Sequence, residues 1–290
     1  MGDLKGGLAR LEESLAGHTP EQRQTRRFRF GTYPEVTART ACGLITWMLG
    51  FPDRGLERTE QAMALANELG HPFSMAYARF HAGLLRLWRL EPEITRAHAQ
   101  AVLEIGDEYE FEIWSAVGTC LDGAALAGVG RAEEGLARIQ EGLVRYQVLK
   151  TRPPVFWPML LSMHAGVCAQ AGRASEALRL LDEAAAAGGM APGNVMASDL
   201  CRWRAELLLQ LSPEKVEEAE GWLRQALDIA RKHEARLLEL RAAMSLARLY
   251  EDQGRAQEGR QVLGEAYEKV TEGFTTADMK EAEALLQAFS

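Results

Sequence analysis

Residues 130–142 read "GRAEEGLARIQEG", and residues 2–15 read "GDLKGGLARLEESL", a near copy 128 positions earlier (130 − 2 = 128). Gly2 aligns with Gly130, Gly7 with Gly135, Leu8 with Leu136 and Leu11 with Ile139. A glycine turn followed by an amphipathic helix is repeated, so self-similarity has to be traced before any local structure is assigned.

The same turn-and-helix phrase recurs along the chain. It reads "LGFPDRGLERTEQA" around Gly50, "RLEPEITRAHAQAV" around Leu90 and "QAGRASEALRLLDEA" around Gly172. It returns as "LSPEKVEEAEGWLRQA" near Glu214 and "DQGRAQEGRQVLGEA" at Gly254. Successive spacings are 40, 40, 42, 42 and 40 (90 − 50, 130 − 90, 172 − 130, 214 − 172, 254 − 214). Side-chain size keeps the same beat. Five residues after each anchor stand Gly55, Thr95, Gly135, Ala177, Ala219 and Gly259, and twelve after it Ala62, Val102, Gly142, Ala184, Ala226 and Ala266. Seven before the turn stand Gly43, Gly83, Gly123, Ala165, Ala205 and Ala247, the fifth unit being counted from Ser212. Antiparallel helices approach to about 8–10 Å only where side chains are small, so these positions predict the contacts within and between helix pairs.

This pattern resembles the tetratricopeptide (TPR) repeat, with a period of about 40 in place of 34 residues. The phrases "WMLGFPDRGLERTEQAMALANELGHPFSMAYA" and "TEGFTTADMKEAEALL" resemble the C-terminal arrays of bacterial cyclase–ATPase fusion proteins and of maltose-regulator-type transcription activators. The resemblance implies an all-α fold, a right-handed α-solenoid spanning residues 1–290 as one repeat domain. An orphan helix is expected at 3–16, six pairs at about 34–70, 73–107, 110–149, 155–188, 197–233 and 236–271, and a capping helix at 276–288. The cap would open with a capping box from Thr275 and bury Met279, Ala282, Leu286 and Phe289. The stretch "AAGGMAPGN" (186–194) is the expected mobile loop. Neighbour-only packing would make stability additive along the array.

The orphan helix carries Leu4, Leu8, Leu11 and Leu15 on one stripe. With no preceding helix in the chain to cover it, the stripe is expected to self-associate into a homo-oligomer or to meet an upstream domain.

Bulk composition narrows the function. Apolar residues make up 47% and charged residues 26%, the balance of a folded chain. A net charge of −8 argues against nucleic acid as a partner, since phosphate neutralisation needs clustered cations. The basic run "RQTRRFRF" (Arg23 to Phe30) reads as a solvated linker. No signal peptide or apolar run of membrane-spanning length is visible, so a cytoplasmic chain without membrane contact is expected. Cys42, Cys120, Cys168 and Cys201 are widely spaced and read as buried thiols.

Phosphate-binding, zincin, dinucleotide and nucleophile-elbow motifs are absent, so no catalytic residue, cofactor or metal is expected. His71 reads as structural. His81 and His164 read as packing or groove residues, on the view that no cysteine or carboxylate shares their helical face one turn away.

In TPR-like arrays the first helices line the concave face, which the resemblance carries to positions two, three, six and ten before each turn. These are Thr40, Leu44, Trp47 and Met48 in the first unit, and Phe80, Leu84, Leu87 and Trp88 in the second. Small residues follow (Ala124, Ala127, Gly128, Gly166, Ala169), then charges (Arg248, Glu251, Asp252). The expected function is a non-catalytic scaffold that binds a protein or peptide partner in this groove, with a small-molecule or peptide sensor as the alternative.

Overall fold

The computed structural model describes residues 3–17, 31–150 and 156–289. The basic run Arg23 to Phe30 lies outside the described residues. Among the described residues there are fourteen α-helices and no strand. An N-terminal α1 (Leu4–Ala16) precedes the pairs α2 (Pro34–Met48) with α3 (Pro52–Glu68), α4 (Pro72–Trp88) with α5 (Pro92–Glu108), and α6 (Glu112–Gly128) with α7 (Ala132–Val148). Then come α8 (Trp157–Gln170) with α9 (Ala174–Ala184), α10 (Ala197–Leu211) with α11 (Val216–Lys232), α12 (Arg236–Asp252) with α13 (Ala256–Tyr267), and finally α14 (Ala277–Ala288).

Local chemistry sets these boundaries. Pro34, Pro52, Pro72 and Pro92 open four successive helices, where the missing N–H has no intrahelical partner to lose. Five of the six first helices stop in a left-handed residue, as at Gly50 (φ 95°) and Gly130 (φ 83°), and α10 ends instead at Ser212 with φ −145°. The next amide then reaches back to a helix carbonyl, Phe51 N to Thr46 O at 3.2 Å and Arg131 N to Leu126 O at 3.0 Å. Leu90 adopts the same conformation (φ 60°) without glycine's freedom.

The small residues are the contacts. A Cβ built on Gly123 would lie 2.7 Å from the Gly135 carbonyl oxygen, and one on Gly135 would lie 2.5 Å from the Gly123 oxygen. Gly43 and Gly55 face each other in the same way across α2 and α3. At such approaches a single methyl group has no room, so these two pairs keep glycine on both helices, whereas pairs set slightly further apart carry alanine.

Four expectations are corrected. The array is not a chain of neighbours alone, because its sixth pair returns to its first. Glu272, after α13, accepts hydrogen bonds from the Asp53 and Arg54 amides (3.0 and 2.9 Å) and from Arg54 Nε (2.8 Å). A carboxylate therefore sits on the positive end of α3. Gly273 N returns a bond to Asp53 Oδ2 at 3.0 Å, and Trp47, Met48 and Leu85 share a core with α10–α14.

The orphan stripe is also partly covered from within. Leu4, Leu8, Leu11 and Leu15 are all half-buried, Leu4 against that same core. Lys5 pairs with Glu234 and Glu12 with Arg58, each at 2.5 Å. The four leucines are thus partly covered within the chain and keep the rest of their surface exposed.

The "AAGGMAPGN" stretch is tied down. Ala185–Gly189 forms a π-helical turn, Asn194 Nδ2 donates to the Gly189 carbonyl at 2.8 Å, and Asn194 Oδ1 accepts from the Met196 amide at 3.1 Å. At the other end Met279 and Ala282 are buried, with Leu286 and Phe289 half-buried beside them. The N-cap of α14 is Thr276, not Thr275, and Asp278 turns inward to Arg241 instead of closing a capping box. All four cysteines are free and buried. No helix among the described residues is long and apolar enough to cross a membrane.

Candidate functional site

The ring of first helices encloses a channel. Its apolar part is a partly enclosed cavity of about 490 Å³, walled by Leu84, Leu87 and Trp88 of α4, Met159 and Met163 of α8 and Trp203 of α10. A polar part of about 540 Å³ continues past Leu90, Gly166, Gln170 and Trp203, residues common to both. The sixth residue before each turn faces this channel in all six pairs: Leu44, Leu84, Ala124, Gly166, Glu206 and Arg248. Along that row the wall changes from apolar through small to charged.

Of the eight groove residues expected in the first two units, Leu44, Leu84, Leu87 and Trp88 line the cavity. Thr40, Trp47, Met48 and Phe80 do not, being buried within the helix layers. For Trp47 the physical reason is closure. The returning α12 packs against α2, so Trp47 meets Trp88 (ring centroids 5.3 Å) and the Arg241 guanidinium (5.2 Å) instead of open space. Phe80 is taken up by Trp114 and Phe156.

The polar part is an ordered ion network. Arg241 donates through Nε and Nη2 to Asp278 (3.0 and 2.8 Å), and Nη2 also reaches the Trp88 carbonyl. Arg202 bonds Asp199 at 3.0 Å and Glu206 at 2.9 Å, and Ser245 Oγ donates to Glu206 at 2.6 Å. Burial opposes the charge on Arg241, yet Asp278 and Asp199 hold its guanidinium protonated beyond its ordinary range. These side chains were missed because they come from α10, α12 and α14, distant in sequence. The position rule that picked Leu44 and Leu84 also selects Arg202, Glu206 and Arg248.

The histidines divide. His71 caps α4, its Nδ1 accepting from the Ser74 amide at 3.3 Å. His81 lines the cavity and contacts the Tyr77 carbonyl at 2.8 Å, and burial pushes its imidazole down to about 4, so it is neutral at physiological pH. For His164 the expectation fails. Cys168 lies one turn on along α8, and Glu176 of α9 approaches both, the three ligand atoms lying within 4.8 Å of one another.

The fold and the interior define a TPR-like α-solenoid curled until its ends touch. Solved structures share this architecture at low sequence identity. NprR in complex with its cognate peptide NprX is 14% identical, with a TM-score of 0.62 over 90% of this chain and 76% of that one. A Rap protein complexed with competence and sporulation factor is 12% identical, with a TM-score of 0.60 over 99% and 85%. Yeast Tom70 is 12% identical, with a TM-score of 0.54 over 99% of this chain and 58% of that one. No protein-family model matches the chain, and no curated protein matches it in sequence.

Proposed function

We propose that the chain is a non-catalytic regulatory scaffold of the cytoplasm whose channel binds an apolar peptide or amphipathic helix. It would serve as the array of a bacterial signalling ATPase, cyclase or transcription activator, as the resemblance of its repeats implies. The observation that carries this reading is the continuous row of six channel-facing residues, apolar at Leu44 and Leu84 and charged at Glu206 and Arg248. A segment with an apolar half and a charged half matches that gradient. Leu90 supports it too: it is 56% exposed, faces both parts of the channel and holds a left-handed backbone where four of the other five repeats place glycine. An exposed apolar side chain kept in strained backbone marks a contact surface. Of the structures that share the fold, NprR holds its cognate peptide NprX and a Rap protein holds competence and sporulation factor, which is compatible with a bound partner here.

A second reading rests on the volume. About 490 Å³ falls within the roughly 300–1,000 Å³ of small-ligand sites, so a small apolar inducer also fits.

One substitution tests both. A side chain at Gly166 would meet the Trp203 ring at 3.6 Å, an ordinary contact, and point into the channel. Gly166→Leu is therefore expected to fold normally and fill the passage. Peptides selected from a displayed library against wild type should lose binding to this variant, and compounds raising the wild-type Tm should no longer do so. Equal binding to both proteins would overturn the channel as the site.

A further inference from the structure

The buried group on α8 and α9 has chemistry that the peptide channel does not use. His164 is only 6% exposed, and neither ring nitrogen has a hydrogen-bond partner. Burying an imidazole with both nitrogens unsatisfied is costly, and a bound ion is one of the partners that relieves the cost. Cys168 and His164 are four residues apart on α8 and so project from one face, while Glu176 approaches from the first turns of α9. The carboxylate is half-buried and the other two groups are buried, so the cluster opens toward solvent on the Glu176 side.

We propose that His164, Cys168 and Glu176 form a three-ligand site for a borderline divalent cation of the zinc class, with a fourth coordination position open to water. Thiolate, imidazole and carboxylate are together the donor set that zinc takes, whereas magnesium and calcium demand oxygen throughout. A tetrahedral ion with bonds of about 2.0–2.3 Å needs its ligands roughly 3.5 Å apart. Separations within 4.8 Å therefore close by side-chain rotation of about 1 Å. On binding, the Cys168 thiol gives up its proton to solvent and the ion bonds the thiolate sulfur. The ion would cross-link α8 to α9 beside the channel wall, since Met163, Gly166 and Val167 of the same helix line it. This inference is independent of the peptide reading.

The test uses the full chain, chelator-stripped and kept reduced, titrated with Zn²⁺ and separately with Co²⁺. One equivalent should bind, the Tm should rise, and cobalt should give the intense thiolate charge-transfer absorption of a sulfur-bound ion. Cys168→Ala should abolish that absorption, and Cys201→Ala, a buried thiol outside the cluster, should leave it unchanged. Should Cys168→Ala unfold, Glu176→Gln decides the matter. It sits at a half-exposed position and should weaken zinc binding by at least roughly tenfold, the lower end of what lost outer-shell partners alone cost. A folded wild type without the cobalt absorption, or zinc binding unchanged in Glu176→Gln, would overturn the site. A bridging water satisfying His164 would give that negative result.

Discussion

The guanidinium of Arg241 lies 5.2 Å from the centre of the Trp47 ring, joining the sixth helix pair to the first. The same group bonds Asp278 twice and the Trp88 carbonyl, so one side chain ties together α12, α14, α2 and α4. Replacing it with methionine keeps the bulk but leaves Asp278 buried without its cation. A buried pair broken on one side costs about 3–5 kcal/mol. Urea unfolding of Arg241→Met should show a loss of that order. A loss below about 1 kcal/mol would mean that the seam is not a structural joint.

Glycines on the helix interfaces and on the surface should respond with opposite signs. Gly123→Ala puts a methyl group 2.7 Å from the Gly135 oxygen and the Ile139 nitrogen, both backbone atoms. It is expected to destabilise by about 1–3 kcal/mol through overpacking. Gly221, exposed in α11 with nothing within 4 Å of a Cβ, should gain roughly 0.5–1 kcal/mol on substitution by alanine. Thermal unfolding of the two variants side by side gives the comparison.

Acid should weaken the fold before the carboxylates titrate. The folded-state pKa of His81 is lowered to about 4 from an ordinary 6.5, chiefly by burial. The unfolded chain therefore binds the proton first, and stability is retained above about pH 6.5 and falls progressively toward pH 4. For a group shifted this far the loss is on the order of 3 kcal/mol. His98, lowered to about 4 by burial and by Arg86 and Arg79, adds to the same window. Glu239 is held below its usual range: burial works against this, but Lys269, Arg231 and Arg236 outweigh it. Its contribution is lost only at lower pH. Denaturant titrations of wild type and His81→Phe at pH 7 and pH 5 should show a shallower decline in the variant.

Leu90→Gly should separate stability from binding. Relief of a left-handed leucine is worth about 1–2 kcal/mol, less roughly 0.5–1 kcal/mol for glycine's extra freedom when unfolded. The variant should melt slightly higher than wild type and bind channel ligands more weakly. A lower Tm would show that the Leu90 side chain holds the array together.

The repeat was legible because it lies in local chemistry. Glycine at Gly43, Gly55, Gly123 and Gly135, and proline at successive helix starts, mark contacts and ends within one hairpin. Closure was not legible. Glu272 on the amides of Asp53 and Arg54, and Arg241 on Trp47, depend on the summed rotation of six pairs, which no single unit encodes. For that reason Trp47, chosen by the same rule that placed Leu84 and Trp88 on the channel, is buried, while Phe80 is buried for a different cause, the aromatic rings of Trp114 and Phe156 in the units that follow. His164 and Cys168 were within reach of sequence reasoning, being one helical turn apart. Glu176 needed the α8–α9 turn to bring it near.

Small-angle scattering from the monomeric chain tests the closed solenoid most directly. A compact domain of this length has a radius of gyration of about 19 Å, and a ring around a narrow channel should lie only slightly above it, with a single-peaked distance distribution. An elongated profile with a long tail, unchanged in Arg241→Met, would mean that the ends of the array do not meet.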